Sequence, residues 1–322
     1  MKRFLKNVIL TRVLDILLSP LTLIASVWFK YCRYLPVENM PVTDSIFMKL
    51  GVLPVVDHYY QPLVNPKKHL SKSLRQDRIL PGIDWNVEEQ LSILEQFNYN
   101  NELIPIPQNK TGILEFYYNN DSFLGGDAEY LYNIIRLKKP KKIFEIGCGY
   151  SSLLIEKALG QNKKIDIDYC YKHVCIEPYE MPWLEQLNIT VVRKKVEELD
   201  PTFFSELQAE DILFIDSSHV IRPQGDVLCE FLELLPTLNS GVIVHVHDIF
   251  SPKDYLDKWV FDHKLWNEQY LLEAFLTGNT QYKIIGALNF LKHHYFNQIA
   301  SKCPQLSNYT ELEPGSFWMQ KI

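Results

Sequence analysis

From about residue 123 to the C-terminus, short apolar blocks alternate with longer stretches of mixed polarity. Ile143–Ile146, His173–Ile176, Leu187–Arg193, Ile212–Ile215 and Val242–Val246 read as strands. Tyr282–Phe290 and Ser316–Lys321 read as two more, with Pro314-Gly315 turning into the last. Uninterrupted apolar runs such as Ile212–Ile215 indicate strands buried on both faces, as in a parallel sheet. Between them, Ala128–Leu137 and Ser152–Leu159 carry helical spacing, the first after Gly125-Gly126 with Asp127 as its expected N-cap. The polar segment Gln161–Tyr171 reads as an insertion between the helix Ser152–Leu159 and the second strand. The pattern is that of an α/β domain built on a doubly wound parallel sheet.

The amino-terminal part has a different texture. Ile16–Phe29 is uncharged, with Pro20 in its middle, preceded by Lys2, Arg3, Lys6 and Arg12 and followed by Lys30 and Arg33. The run is shorter than the roughly twenty residues a spanning helix needs. A helix pair lying on a membrane surface or on a partner chain is expected, its basic flanks drawn to anionic lipid. A helical arm packed on its own domain or on a second copy fits the same residues. The chain thus divides into a helical extension over 1–75, a helical lead-in over 76–140 and the α/β domain over 141–322.

Chemistry collects at the ends of the strands. Glu145-Ile146-Gly147-Cys148-Gly149-Tyr150-Ser151-Ser152 turns from a strand into a helix through two glycines. Glycine lets the backbone bend and lets a ligand approach, and a new helix offers unpaired N–H groups there. The dinucleotide fingerprint G-x-G-x-x-G is incomplete, because Ser152 stands at its third glycine. Glu177 ends the second strand, where a carboxylate can accept two hydrogen bonds from ribose hydroxyls. Asp216-Ser217-Ser218-His219 follows the fourth strand and His247-Asp248 the fifth. Ligands bind at this edge of open α/β sheets, and two carboxylates on adjacent strand tips suit a hard divalent cation. His245 alternates with His247 and is expected to be structural.

The order Glu-x-Gly-x-Gly after a strand resembles motif I of class I S-adenosylmethionine-dependent methyltransferases. The resemblance covers about Phe123 to Ile322. It implies a Rossmann-like, doubly wound seven-stranded sheet ending in an antiparallel C-terminal hairpin. It further implies S-adenosylmethionine as cofactor, held by Glu145, Gly147, Gly149, Ser151, Glu177 and Asp216. Ile215-Asp216-Ser217-Ser218-His219 with His247-Asp248 resembles the bacterial metal-dependent O-methyltransferases that act on sugar and macrolide hydroxyls. Carried over, Asp216 and Asp248 are metal ligands and His219 is the general base. The family has paired carboxylates where this chain has His247-Asp248, so His247 would be the third ligand, and imidazole suits Mg²⁺ less well than a softer divalent ion. In the helix before motif I and its approach, Tyr118 and Asn119 are candidates to touch substrate. His58 and Tyr59, from the aromatic cluster Asp57–Pro62, are candidates for shaping an acceptor pocket. Trp259, Trp266, Asn267, Glu268 and Tyr270 fall where family members cover the acceptor.

Composition narrows the alternatives. The chain has 322 residues, 47% of them hydrophobic, and a net charge of −6. No basic stripe in the body offers itself to nucleic acid. Six cysteines without a C-x-x-C pair favour neither a disulfide framework nor a zinc site. A cytoplasmic setting is expected, with the N-terminus at the inner face of the membrane, a small-molecule or saccharide acceptor, and homo-oligomerisation left open. The competing readings are an NAD-dependent oxidoreductase, disfavoured by the missing third glycine, and a non-catalytic binding protein on the same fold.

Overall fold

The computed structural model describes residues 8–322; Lys2, Arg3 and Lys6 lie outside them. The chain forms two units, one built from residues up to Ser71 with Val260–Leu265, the other from Lys72–Trp259 with Trp266–Ile322.

The first unit contains α1 (Val8–Tyr34) and α2 (Pro41–Leu50). Where a helix pair was expected, α1 runs unbroken through Pro20. Ser19 Oγ donates to Ile16 O at 2.9 Å. Pro20 has no N–H to offer that carbonyl, so the serine hydroxyl supplies the missing donor. The two helices meet edge-on through Phe29 and Phe47, 5.4 Å apart, and Gly51 closes α2 in the left-handed region.

The second unit contains α3 (Val87–Gln96), α4 (Asp127–Lys138), β1 (Lys142–Ile146), α5 (Tyr150–Ile165), β2 (Lys172–Ile176), β3 (Thr190–Val192), β4 (Ile212–Ile215), β5 (Ile243–Val246), α6 (Glu268–Leu276), β6 (Tyr282–Ala287), α7 (Leu288–His294) and β7 (Phe317–Lys321). The sheet order is β3-β2-β1-β4-β5-β7-β6. Strands β1 to β5 run parallel, and β7 lies antiparallel between β5 and β6. The expected Rossmann-like sheet and antiparallel terminal pair are therefore present. Strand residues alternate strictly between two cores. Ile143, Ile212 and Ile243 face α4 and α5. Phe144, Leu213 and Val244 face the opposite helical layer with Phe231 and Leu272.

Several boundaries differ from the sequence expectation. The segment read as strand to Phe290 stops at Ala287 and continues as α7. A register shift at Ile284/Gly286 interrupts the ladder, which resumes for Gly286 and Ala287 only, and a Cβ at Gly286 would collide with the Tyr130 hydroxyl. Gln161–Ile165 is the last turn of α5, leaving only a short connection to β2. Gly126, not Asp127, is the N-cap of α4. Asp127 instead accepts the amides of Gly315 and Ser316 at 3.2 and 2.7 Å, tying the approach to β7 onto α4.

Candidate active site

The strand order reverses between β1 and β4, and there a cleft of about 470 Å³ opens at the carboxyl ends of β1, β2 and β4. Gly147, Glu177, Asp216, Ser218, Arg222 and Asp226 are among its walls. Gly147 has φ of 77°, and a Cβ there would overlap the backbone carbonyl of Asp216. The turn can therefore be made only by glycine. It is stitched to both neighbours: Gly147 N donates to Ile176 O at 3.0 Å, and Asp216 N to Ile146 O at 2.8 Å. Glu177 Oε1 accepts the amides of Tyr179 and Glu180 at 2.8 and 2.9 Å, while Oε2 lies 3.4 Å from Cys148 N. The carboxylate is fixed on one side and keeps lone pairs on the other for a ligand in the cleft.

Glu145 corrects the expectation. It lies one position before Ile146, on the opposite face of β1, beneath α5, and is fully buried. Its carboxylate accepts from Ser151 Oγ at 2.6 Å and Ser152 Oγ at 2.7 Å, with His173 Nε2 at 3.1 Å and Cys175 Sγ at 3.3 Å. The other nitrogen of His173 reaches Glu156 at 2.9 Å. Burial would discharge His173, but Cys175, Glu145 and Glu156 hold its pKa well above the usual imidazole value. Glu145, His173 and Cys175 converge closely enough to suggest a metal group, yet donors and acceptors within the cluster already pair off. The set anchors the glycine loop from behind, and neither Glu145 nor Ser151 lines the cleft.

Beyond the cleft, Asp216, His219 and Asp248 come together. His219 Nε2 is 3.4 Å from Asp216 Oδ1 and 3.5 Å from Asp248 Oδ2. Its Nδ1 is 2.8 Å from Glu268 Oε2, a carboxylate that is only 1% exposed. Both His219 and Asp248 adopt positive φ, 61° and 57°, an uncommon backbone for these residues that surrounding structure must enforce. The N-terminus of α6 enforces it at His219: the amide of Asn267 donates to His219 O at 3.0 Å, and Asn267 Oδ1 accepts Ile221 N at 2.7 Å. The Trp266 ring lies 4.5 Å from the imidazole.

The electrostatics follow from this crowding. Burial alone would lower the His219 pKa; Asp216, Glu268 and Asp248 instead hold it well above its ordinary value. Burial pushes Asp216 up, but His247 and His219 hold it below the usual carboxylate range. Burial raises Glu268 despite its hydrogen bond to His219, and Glu230, buried beside it, is raised well above a normal carboxyl. His247 is buried, raised by Asp248, Asp216 and Asp127, and stands 3.6 Å from Asp248 Oδ1 through Nε2. The three-residue group therefore contains His219 rather than His247. His245 is held neutral by burial and by the charge on His247; it stacks on Phe214 at 3.9 Å and touches Ser316, a structural role as expected.

Other predicted residues fall elsewhere. Tyr118 is buried in the core with its hydroxyl toward Leu103 O, so aromatic packing accounts for it. Asn119 is exposed and bonded to Asn109 at 3.2 Å. His58 and Tyr59 belong to the first unit, stacked on one another at 4.7 Å, with Tyr59 strongly exposed. Glu268 was legible only as part of an acceptor-covering segment. No local signal marks it as the partner of His219, which lies 49 positions earlier.

Residues 144–249 match the family model of a methyltransferase domain. An uncharacterised protein of Archaeoglobus fulgidus is 30% identical over 177 residues, which cover 51% of this chain and 78% of that protein. Two solved structures are similar more loosely. The [4+2]-cyclase SpnF shares 12% identity at a TM-score of 0.29, with 74% of this chain and 94% of that one covered. Loganic acid methyltransferase with SAH shares 8% at a TM-score of 0.28, with 67% and 98% covered.

Proposed function

Because the chain belongs to the methyltransferase-domain family and is an S-adenosylmethionine-dependent methyltransferase, we propose that it methylates a hydroxyl of a sugar or another small metabolite, with His219 as general base. The observation that carries this reading is the imidazole itself. Its Nδ1 is held by buried Glu268, and its Nε2 is presented between two carboxylates at the strand tips beside the cleft. S-adenosylmethionine supplies a methyl group on a sulfonium, which an acceptor oxygen displaces in line. An alcohol is a weak nucleophile at neutral pH and needs a base within hydrogen-bond reach. The O–CH₃ bond forms as the S–CH₃ bond breaks, the hydroxyl proton passes to Nε2 of His219, and S-adenosylhomocysteine leaves.

The other residues divide the remaining work. Glu177 accepts the ribose hydroxyls from the far wall of the cleft, and Gly147 admits the cofactor over the loop. Glu268 fixes the imidazole tautomer and supports the positive charge that develops on proton uptake, as carboxylates do for catalytic histidines elsewhere. Asp216 and Asp248 bring carboxylate oxygens close enough to share a divalent cation, which would orient the acceptor and lower its pKa, while Nε2 of His219 stays free of the ion to take the proton.

The test is transfer of tritium from methyl-labelled cofactor into fractions of a cell extract, with and without chelator. We expect label that survives alkali, as an ether does. Alkali-labile label released as methanol would mean a carboxyl acceptor and overturn the hydroxyl assignment. Full turnover by His219→Ala would remove the base. Stabilisation of the protein by NAD and not by S-adenosylhomocysteine would overturn the cofactor.

A further inference from the structure

Helix α1 has no place in this chemistry, and its surface carries an unused pattern. Large apolar side chains stand exposed along it: Leu17 68%, Leu21 63%, Ile24 67% and Trp28 46%. At about 100° per residue, every charged, serine and threonine residue from Thr11 to Arg33 falls within one stripe about 100° wide. Arg12, Asp15, Ser19, Thr22, Ser26, Lys30 and Arg33 define it, stepping by three or four. The rest of the circumference is apolar. A soluble helix normally shows the reverse proportion, a narrow apolar stripe turned to a core.

The stripe runs unbroken past the proline, because Ser19 Oγ satisfies the carbonyl that Pro20 deprives and the helix continues. Charge points to anionic lipid as the occupant. Residues 1–34 hold six basic side chains against one acid, in a chain whose net charge is −6. The aromatics Trp28, Tyr31 and Tyr34 gather at one end, the side chains favoured at headgroup level.

We propose that α1 is an in-plane membrane anchor: it lies in the interface of a bilayer containing anionic lipid, the Arg12–Arg33 stripe toward water and the Leu17/Ile24/Trp28 face among the acyl chains. The helix is long and apolar enough to cross a membrane, but crossing would carry Asp15 and the stripe into hydrocarbon. Lying flat uses the stripe along its whole length and sets the basic residues of both ends on the headgroup side.

The experiment is flotation of the full chain with vesicles of equal parts phosphatidylglycerol and phosphatidylcholine, and with phosphatidylcholine alone. The wild type should float with the anionic vesicles and less with the neutral ones. Ile24→Asp should lower the vesicle-bound fraction about ten-fold or more. Ser26→Lys, on the stripe, should leave it unchanged. Equal loss in both variants would indicate a spanning helix or a self-association face and sink the proposal, as would a wild type that stays with the soluble fraction. Should Ile24→Asp fail to fold by circular dichroism, the wild type alone decides: bromine-labelled acyl chains must quench fluorescence that Trp28→Phe lacks. No such difference would also overturn the anchor.

Discussion

Replacing Gly147 by alanine should separate what the loop does for the chain from what it does for the cofactor. The added Cβ would overlap the carbonyl oxygen of Asp216 and lie 2.7 Å from its carbon. Relief requires the ends of β1 and β4 to part by about 1.5 Å, since ordinary contacts between non-bonded heavy atoms lie at about 3.5 Å and the oxygen is the closer atom. That movement strains the bonds Asp216 N to Ile146 O and Gly147 N to Ile176 O, 2.8 and 3.0 Å long, each worth about 1 kcal/mol. The positive φ adds about 1–2 kcal/mol for any residue with a side chain. A loss of about 3 kcal/mol is expected, together with displacement of the Asp216 carboxylate from His219. Gly149→Ala is the control. Its φ of −173° is extended backbone, and the nearest atom to a Cβ is Met181 Cε at 3.8 Å. The chain should accept this change within about 0.5 kcal/mol. Any fall in cofactor affinity in Gly149→Ala then reports contact with the ligand. Urea unfolding and calorimetric titration with S-adenosylhomocysteine measure both quantities. A Gly147→Ala protein of wild-type stability, or a Gly149→Ala protein equally destabilised, would refute this account of the loop.

Glu268→Gln keeps a hydrogen bond to His219 but removes the charge; the methyl-transfer rate should fall about 100-fold while S-adenosylhomocysteine affinity holds within about three-fold. An unchanged rate would show that Glu268 does not support the imidazole. Glu313, although burial works the other way, is held at about 2 by His293, Lys292 and Asn289, below its unfolded value. Its contribution is complete above about pH 4.5 and fades as the pH falls toward 2. After allowance for its partial exposure it amounts to about 1–2 kcal/mol. Glu313→Gln should therefore lower stability at pH 7 and lose that deficit on acidification. A deficit constant with pH would point to packing instead. His173→Ala would leave Glu145 buried without its charged partner, at a cost of about 3–5 kcal/mol; a loss under about 1 kcal/mol by urea unfolding would mean that the serines alone hold the carboxylate.

The strand tips were legible because short apolar runs such as Ile212–Ile215 and Val242–Val244 mark strands buried on both faces, and chain order then brings their polar ends together. Asp216, His219 and Asp248 follow from that alone. The facing of Glu145 does not follow from a motif. It depends on which core its neighbours occupy and on His173 and Cys175, two apart on β2, lying opposite it. Proline at position 20 argues locally for a break, yet a serine beside it repairs the lost bond and the helix continues. The register shift near the end of β6 lies where the Tyr130 hydroxyl comes so close that only glycine fits at 286, a contact between distant parts of the chain. The pairing of Glu268 with His219 spans 49 positions, beyond the reach of any local pattern.

The turning away of Glu145 changes how charge is distributed around the cofactor. With that acid neutralised by two hydroxyls and an imidazole beneath the loop, Glu177 and Asp216 are the carboxylates that face the cleft from the tips of β2 and β4. A sulfonium bound there meets both, one fixed by backbone amides and the other already shared with His219 and His247, with Asp226 on a further wall. On the acceptor side the same economy repeats, with His219 between Asp216, Asp248 and Glu268, and His247 among Asp127, Asp216 and Asp248. Each buried imidazole sits where two or three acids would otherwise repel one another. A cation arriving beside Asp216, whether sulfonium or metal, weakens the hold of those acids on the His219 proton. Base strength is in this way coupled to occupancy: the imidazole is free to take a proton only when positive charge has entered the site. The coupling predicts that S-adenosylmethionine, which is cationic, shifts the His219 imidazole resonances toward the neutral form, whereas the uncharged product S-adenosylhomocysteine shifts them less. Equal shifts with both ligands, read by NMR of histidine-labelled protein, would show that the site senses shape and not charge.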